Sequence, residues 1–130
     1  MKTLAILGGS GHGKVVAEIA ELMGWQDIVF FDDAFPAVTA VGVWKVLGTT
    51  GDLVSSVDKY STVIVAIGDN TVRLDKSKYL YSQGFKLATL LHPCATISKY
   101  ANVCSGSVVM AGAVINPFVS IGMASIINTA

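Results

Sequence analysis

Three short stretches hold the residues whose types and spacing could do chemistry. Gly8-Gly9-Ser10-Gly11-His12-Gly13-Lys14 follows an apolar run and opens a stretch with helical periodicity. Asp32-Asp33 closes a second apolar run, and Gly68-Asp69-Asn70 follows a third, Thr62–Ile67. A glycine loop that opens a helix exposes backbone N–H groups, and the helix dipole favours negative charge there, so the first stretch suits a phosphate. It is not a Walker A loop: Gly8, Gly13 and Lys14 fit, but Val15 stands where a magnesium-binding Ser or Thr is needed. The dinucleotide fingerprint also fails, because Lys14 replaces its third glycine. Phosphate binding is therefore the reading, without support for NAD or ATP. The same glycines could simply permit a tight strand-to-helix turn. Asp32 or Asp33 could accept hydrogen bonds from a ribose or the imide N–H of a base, or could be a solvated strand end or helix cap. His12 lies in the loop rather than on an apolar face, which places it beside a ligand. His92, before Pro93, reads as a hinge residue. Arg73 reads as a solvated helix residue or as a ligand contact.

The elements that must position these groups follow from periodicity. Thr3–Leu7 predicts a first strand, and Val15, Val16, Ile19, Ala20 and Met23 share one stripe of a helix that Gly24 ends. Asp27–Asp33 predicts a second strand, Val43–Leu47 a short edge strand and Asp52–Val57 a short helix. Thr62–Ile67 is continuously apolar, as strands of parallel sheets are when both faces are covered. Gly68-Asp69-Asn70 caps a helix over Thr71–Gln83, with Val72, Tyr79 and Leu80 inward, and Phe85–Leu91 is a last strand. Strands alternating with helices imply right-handed crossovers and a Rossmann-like sheet over residues 1–92. Ligands of such sheets lie outside the carboxyl ends of the strands, where all three chemical stretches converge.

From residue 93 the period changes to six. Six hexads run Ala95–Tyr100, Ala101–Gly106, Ser107–Gly112, Ala113–Phe118, Val119–Ala124 and Ser125–Ala130. Their third positions are Ile97, Val103, Val109, Ile115, Ile121 and Ile127, all β-branched and aliphatic. Three flat faces per coil and a single stacked column of side chains predict a left-handed parallel β-helix over residues 93–130. That architecture is used chiefly by acyltransferases that draw on coenzyme A.

Composition excludes several classes. The 130 residues carry a formal net charge of +0, and no basic cluster could track a phosphate backbone, which argues against nucleic acid. Apolar stretches such as Val108–Ile115 contain glycine and fall far short of a bilayer span, and the apolar N-terminal run breaks at once into glycines, so no membrane segment or signal peptide is expected. Cys94 and Cys104 make no ligand spacing with His12 or His92, so no metal is expected. Reduced thiols fit a cytoplasmic protein.

Taken together, GGSGHGKVVAEIAE, FFDD, VAIGDNTVR, GFKLATLLHP, INPFVSIG and IINTA closely resemble the bacterial sugar acetyltransferases of the sialic acid O-acetyltransferase type. That family includes the UDP-4-amino-sugar N-acetyltransferases of bacillosamine and perosamine-like pathways. The resemblance spans essentially the whole chain. It implies a nucleotide-sugar site with Gly9, Ser10, Gly11, His12 and Gly13 by the substrate, and Asp32 and Asp33 toward uracil and ribose. Gly68, Asn70 and Arg73 would complete that site. Asn128, in the INT motif, would stand beside the reacting centre; a coil asparagine can also simply stack and satisfy turn backbone. It implies acetyl-CoA as acyl donor, bound between the subunits of a homotrimer that the β-helix forms. A UDP-linked 4-amino sugar is the expected acceptor, since free sialic acid has no diphosphate for the glycine loop. The alternatives are sugar O-acetylation and a non-catalytic nucleotide-sugar-binding module. A nicotinamide-dependent oxidoreductase is disfavoured because a β-helix has no place in that fold. The family's base histidine follows the INT motif and would fall beyond Ala130. The expectation for these 130 residues is therefore sugar-nucleotide binding without acetyl transfer.

Overall fold

The computed structural model describes residues 3–128. Its first part alternates strands and helices: β1 (Thr3–Leu7), α1 (Gly11–Leu22), β2 (Asp27–Phe31), β3 (Ala40–Val41), β4 (Trp44–Gly48), α2 (Thr50–Val54), β5 (Thr62–Val65), α3 (Asn70–Ser82) and β6 (Lys86–Leu87). The strands form one sheet in the order β3-β4-β2-β1-β5-β6, parallel throughout except for the β3–β4 pair. The chain moves outward from β1 to β2 and β4, then returns past β1 to β5 and β6. The strand order therefore reverses beside β1, and a crevice opens there at the carboxyl ends.

Burial on both faces explains the continuous apolar runs. Leu4, Ile6, Ile28, Phe30 and Ile64 face Val16, Ala17, Ile19 and Ala20 of α1. Ala5, Leu7, Phe31, Val63 and Val65 face Leu53 of α2 and Leu80 of α3 on the other side. The inward stripe of α1 is rotated from the one expected: Val15 and Met23 are exposed and Ala17 is buried. Gly13 sets that rotation, because a Cβ there would come within 2.6 Å of the Gly8 carbonyl oxygen and 2.9 Å of Phe30. The helix can approach β1 only along the line of Gly13, Val16, Ala17 and Ala20. In α3 the inward residues are Arg73, Ser77 and Leu80, whereas Val72 and Tyr79 point outward. The short helix α2 begins at Thr50, earlier than expected, because Thr49 and Asp52 form a reciprocal capping box. Strand β4 is flanked on its outer side by the two-residue β3.

The single strand expected over Phe85–Leu91 is two strands. β6 ends in the six-stranded sheet, and β7 (Leu90–Leu91) starts a different arrangement. It is followed by β8 (Thr96–Ile97), β9 (Asn102–Val103), β10 (Val108–Val109), β11 (Val114–Ile115), β12 (Ser120–Ile121) and β13 (Ile126–Ile127). All pair in parallel with the strand eighteen residues away: β7 with β10 and β10 with β13, β8 with β11, β9 with β12. The hexad pattern thus begins at β7, one repeat before Ala95. The third-position residues pack on one another together with Leu91, Ala95, Ala101 and Ala113. The sixth positions turn the corners: Gly106, Gly112, Phe118 and Ala124 all have φ between +54° and +80°. Ser107, a buried first position, donates its hydroxyl to the Gly122 carbonyl at 2.9 Å and accepts the Ser125 N–H at 3.0 Å.

Adjacent residues of this ladder serve two cores. Leu90 and Val108 pack against α1 and the large sheet, whereas Leu91 and Val109 fill the ladder interior. The first ladder face therefore covers the α1 side of the sheet.

Candidate nucleotide-sugar site

Three loops meet at the crevice. The turn after β1 passes through Gly8, whose φ of +109° and whose crowding against Ala66 and Ile67 leave no comfortable room for a side chain. Asp32, just past β2, accepts the Gly9 N–H at 2.7 Å on one carboxylate oxygen and the Ala34 N–H at 2.8 Å on the other. Its carboxylate thus fixes the glycine loop and its own turn together. Ser10 is the N-cap of α1 with extended backbone, and its hydroxyl makes no capping bond. Gly11 follows, and a Cβ there would meet nothing within 4 Å.

The cavity so formed is about 240 Å³ and is walled by Gly8, Gly9, Ser10, Asp32, Asp33 and Lys76, with Leu7 and Ile67 behind them. Asp33 accepts the Thr50 N–H at 2.8 Å, and Lys76 Nζ stands 3.8 Å from its other oxygen. The Thr50 hydrogen bond, with Lys76 adding to it, holds the Asp33 carboxyl below its ordinary range. A helix N-terminus, an anchored glycine loop and an ammonium group on the far wall together suit a diphosphate.

Of the ten residues expected at the site, Gly9, Ser10, Asp32 and Asp33 line the cavity. Gly13 is buried against Gly8 and Phe30, and its role is the approach of helix to strand. His12 lies in the first turn of α1, half-buried, with Nε2 enclosed and without a hydrogen-bond partner. Burial chiefly, and then the charge of Arg73, push the His12 pKa below its ordinary value, so the ring is neutral near pH 7. Gly68, Asn70 and Arg73 gather beside the cavity in an arrangement the sequence reading did not contain. Arg73 is neither solvated nor exposed; it is 4% accessible. Its guanidinium donates to the Ile67 and Gly68 carbonyls at 2.9 and 3.1 Å, to Asn70 Oδ1 at 2.6 Å and to the Ala124 carbonyl at 2.7 Å. Asn128 is exposed just after β13.

Lys76 was missed by the sequence reading. The available signal was its place two turns after Gly68-Asp69-Asn70, on the helix that rises from the crevice. Among the described residues no His, Cys, Asp and Glu cluster could hold a metal ion, and no helix is long and apolar enough to cross a membrane.

Fold and site define a largely parallel α/β unit with a crevice at its strand-order reversal, continued by a ladder of short parallel strands. The chain belongs to the family described as the PglD N-terminal domain, which matches residues 3–80. This bears out the resemblance drawn from the sequence motifs. It is 33% identical over 117 residues to the UDP-N-acetylbacillosamine N-acetyltransferase of Bacillus subtilis (strain 168), a match covering 85% of this chain and 52% of that protein. Its structure is similar to the acetyltransferase domain of PglB from Neisseria gonorrhoeae FA1090 in complex with acetyl coenzyme A, with 41% identity and a TM-score of 0.91. That match covers 99% of this chain and 62% of that one. PerB from Caulobacter crescentus, in complex with CoA and GDP-perosamine, is similar at 34% identity and a TM-score of 0.91, covering 99% of this chain and 61% of its own. The chain thus spans about half the length of the curated relative and about three fifths of the solved chains.

Proposed function

We propose that this chain carries the nucleotide-sugar site and the opening coils of an acetyl-CoA-dependent N-acetyltransferase for a UDP-linked 4-amino sugar, acting in the cytoplasm on a surface-glycan precursor. The observation that carries the reading is the cavity: loop amides anchored by Asp32, the open N-terminus of α1 and Lys76 across from them suit a sugar-nucleotide diphosphate. Asp33, the more exposed carboxylate, faces ribose and base, whereas Asp32 holds the loop. The B. subtilis relative is named for a UDP-sugar and PerB was solved with a GDP-sugar, which supports the substrate class. In this reading residues 3–88 are a Rossmann-like unit, and the eighteen-residue ladder is a left-handed parallel β-helix that assembles as a homotrimer. The boundary then falls between β6 and β7 rather than at Pro93.

In the proposed reaction the sugar amine attacks the thioester carbonyl. A C–N bond forms, the C–S bond breaks, and the thiol leaves with the proton that a general base takes from nitrogen. The residues described here bind and orient. His92 Nδ1 accepts the Cys94 N–H, His12 Nε2 is enclosed, and neither lines the cavity. A second cavity of about 330 Å³ lies between the first turn of α3 and β13, but its guanidinium is already taken by carbonyls.

Calorimetric titration with UDP, a UDP-4-amino sugar, a GDP-4-amino sugar, free sialic acid and NADH tests this. The UDP-sugar should bind, and Lys76→Ala should weaken it roughly ten- to hundredfold, the range for a lost hydrogen bond to a charged group. Tight binding of NADH or free sialic acid, with none of either sugar nucleotide, would overturn the reading. A preference for the GDP-sugar would keep the class and change the base.

A further inference from the structure

Arg73 joins two parts of the molecule that are 51 residues apart in sequence. On one side it holds the turn after β5, through the carbonyls of Ile67 and Gly68 and the side chain of Asn70. Ile67 itself lines the nucleotide cavity. On the other side its Nε donates to the Ala124 carbonyl, at the ladder corner that leads directly into β13 and Asn128. Ala124 holds a left-handed φ of +54° there without being glycine, as Phe118 does at the preceding corner. Among the described residues no carboxylate pairs with the guanidinium. Its hydrogen bonds all go to neutral acceptors, while the nearby Asp69 charge favours the cationic form against the cost of burial. What a planar guanidinium supplies and an apolar side chain cannot is a fork of directed N–H groups that fixes two backbones at one distance.

We infer that Arg73 is a positioning residue: it sets the ladder corner at Ala124, and hence β13 and Asn128, against the loop that contacts bound sugar nucleotide. This rests on the reading of the cavity as a sugar-nucleotide site. The path runs from ligand to Ile67, through the Arg73 fork to Ala124, and on to the strand after it. Arg73 does not touch the ligand; it communicates the ordering of the loop to the ladder.

The test compares amide hydrogen exchange with and without saturating UDP-4-amino sugar in the wild-type chain and in Arg73→Lys, which keeps the charge and loses the fork. In the wild type, binding should slow exchange at the glycine loop. It should also slow exchange, by at least about fivefold, at the Ala124 and Ser125 amides, which bond Ser105 and Ser107. In Arg73→Lys, affinity should stay within about threefold and the loop should still be protected, while the response at Ala124 and Ser125 disappears. An unchanged ladder response in Arg73→Lys, or none in the wild type, overturns the inference. A loss of affinity beyond tenfold also overturns it, by making Arg73 a ligand contact. If no sugar nucleotide binds the wild-type chain at all, the functional reading itself has failed. Should Arg73→Lys not fold, Asn70→Ala, which removes one acceptor and leaves three, decides by the same readings with a smaller change.

Discussion

Asp32 accepts the Gly9 and Ala34 N–H groups with its two oxygens, so the glycine loop has its shape before any ligand arrives. Asp32→Ala leaves both amides without an acceptor. Stability to urea should fall by about 1–3 kcal/mol, the cost of unmade hydrogen bonds to a charged group, and sugar-nucleotide affinity should fall with it. Asp33→Ala removes two exposed contacts, to the Thr50 N–H and to Lys76, so its effect should be chiefly on affinity, with the urea midpoint changed less than in Asp32→Ala. This pair separates the two carboxylates, which in the sequence were equivalent candidates. His12 gives a second test. Its folded pKa lies below the ordinary value of 6.5, so the unfolded chain binds the proton more readily. The contribution of neutral His12 is therefore fully present above pH 6.5 and is lost as the pH falls below it, until the folded ring protonates as well. Thermal midpoints measured from pH 7.5 downward should decline through this window, and His12→Gln should flatten that part of the decline. An identical decline in His12→Gln would place the proton uptake elsewhere.

At the level of elements, the glycines of the first turn have separate duties. Gly13 brings α1 onto β1, and Gly13→Ala would force a Cβ to 2.6 Å from the Gly8 carbonyl oxygen. A loss of about 1–3 kcal/mol in chemical unfolding is expected, as for other overpacked interiors. Gly11→Ala meets open space and should leave stability unchanged or slightly higher, since alanine is the better helix former. Gly11→Val, with its fold intact, should reduce sugar-nucleotide binding if the ligand occupies that space. The sequence showed the loop by its glycines, the strands by their apolar runs and the hexads by their period. It did not show which glycine served packing, since that depends on where Phe30 and the Gly8 carbonyl come to lie. Nor did it show the inward face of α3. Arg73 read as a solvated helix residue or a ligand contact, and the carbonyls of Ile67, Gly68 and Ala124 with the Asn70 side chain make burial of its guanidinium tolerable. The first hexad escaped notice because Leu90 and Leu91 prolong the apolar run of the strand before them.

At the scale of the whole molecule, sheet and ladder share one apolar core among the described residues. Leu90 and Val108 belong to the same cluster as Leu4, Ile6 and Val16. Unfolding followed by fluorescence of Trp25 and Trp44 should therefore coincide with unfolding followed by exchange at the Val108 and Ser125 amides. Leu90→Ala should cost about 2–5 kcal/mol and shift both transitions together. Two separated transitions would show that the halves fold independently. The alternation of Leu90 with Leu91, and of Val108 with Val109, also bears on how such a gene can change length. One residue gained or lost within a ladder strand, and not looped out at a corner, exchanges the contents of two cores at once. Viable lengthening of the ladder is then quantised in whole turns of eighteen residues, while the exposed residues 36–39 before β3 are open to single-residue drift. Comparison of gene lengths across relatives should show a stepped distribution in one half of the protein and a smooth one in the other.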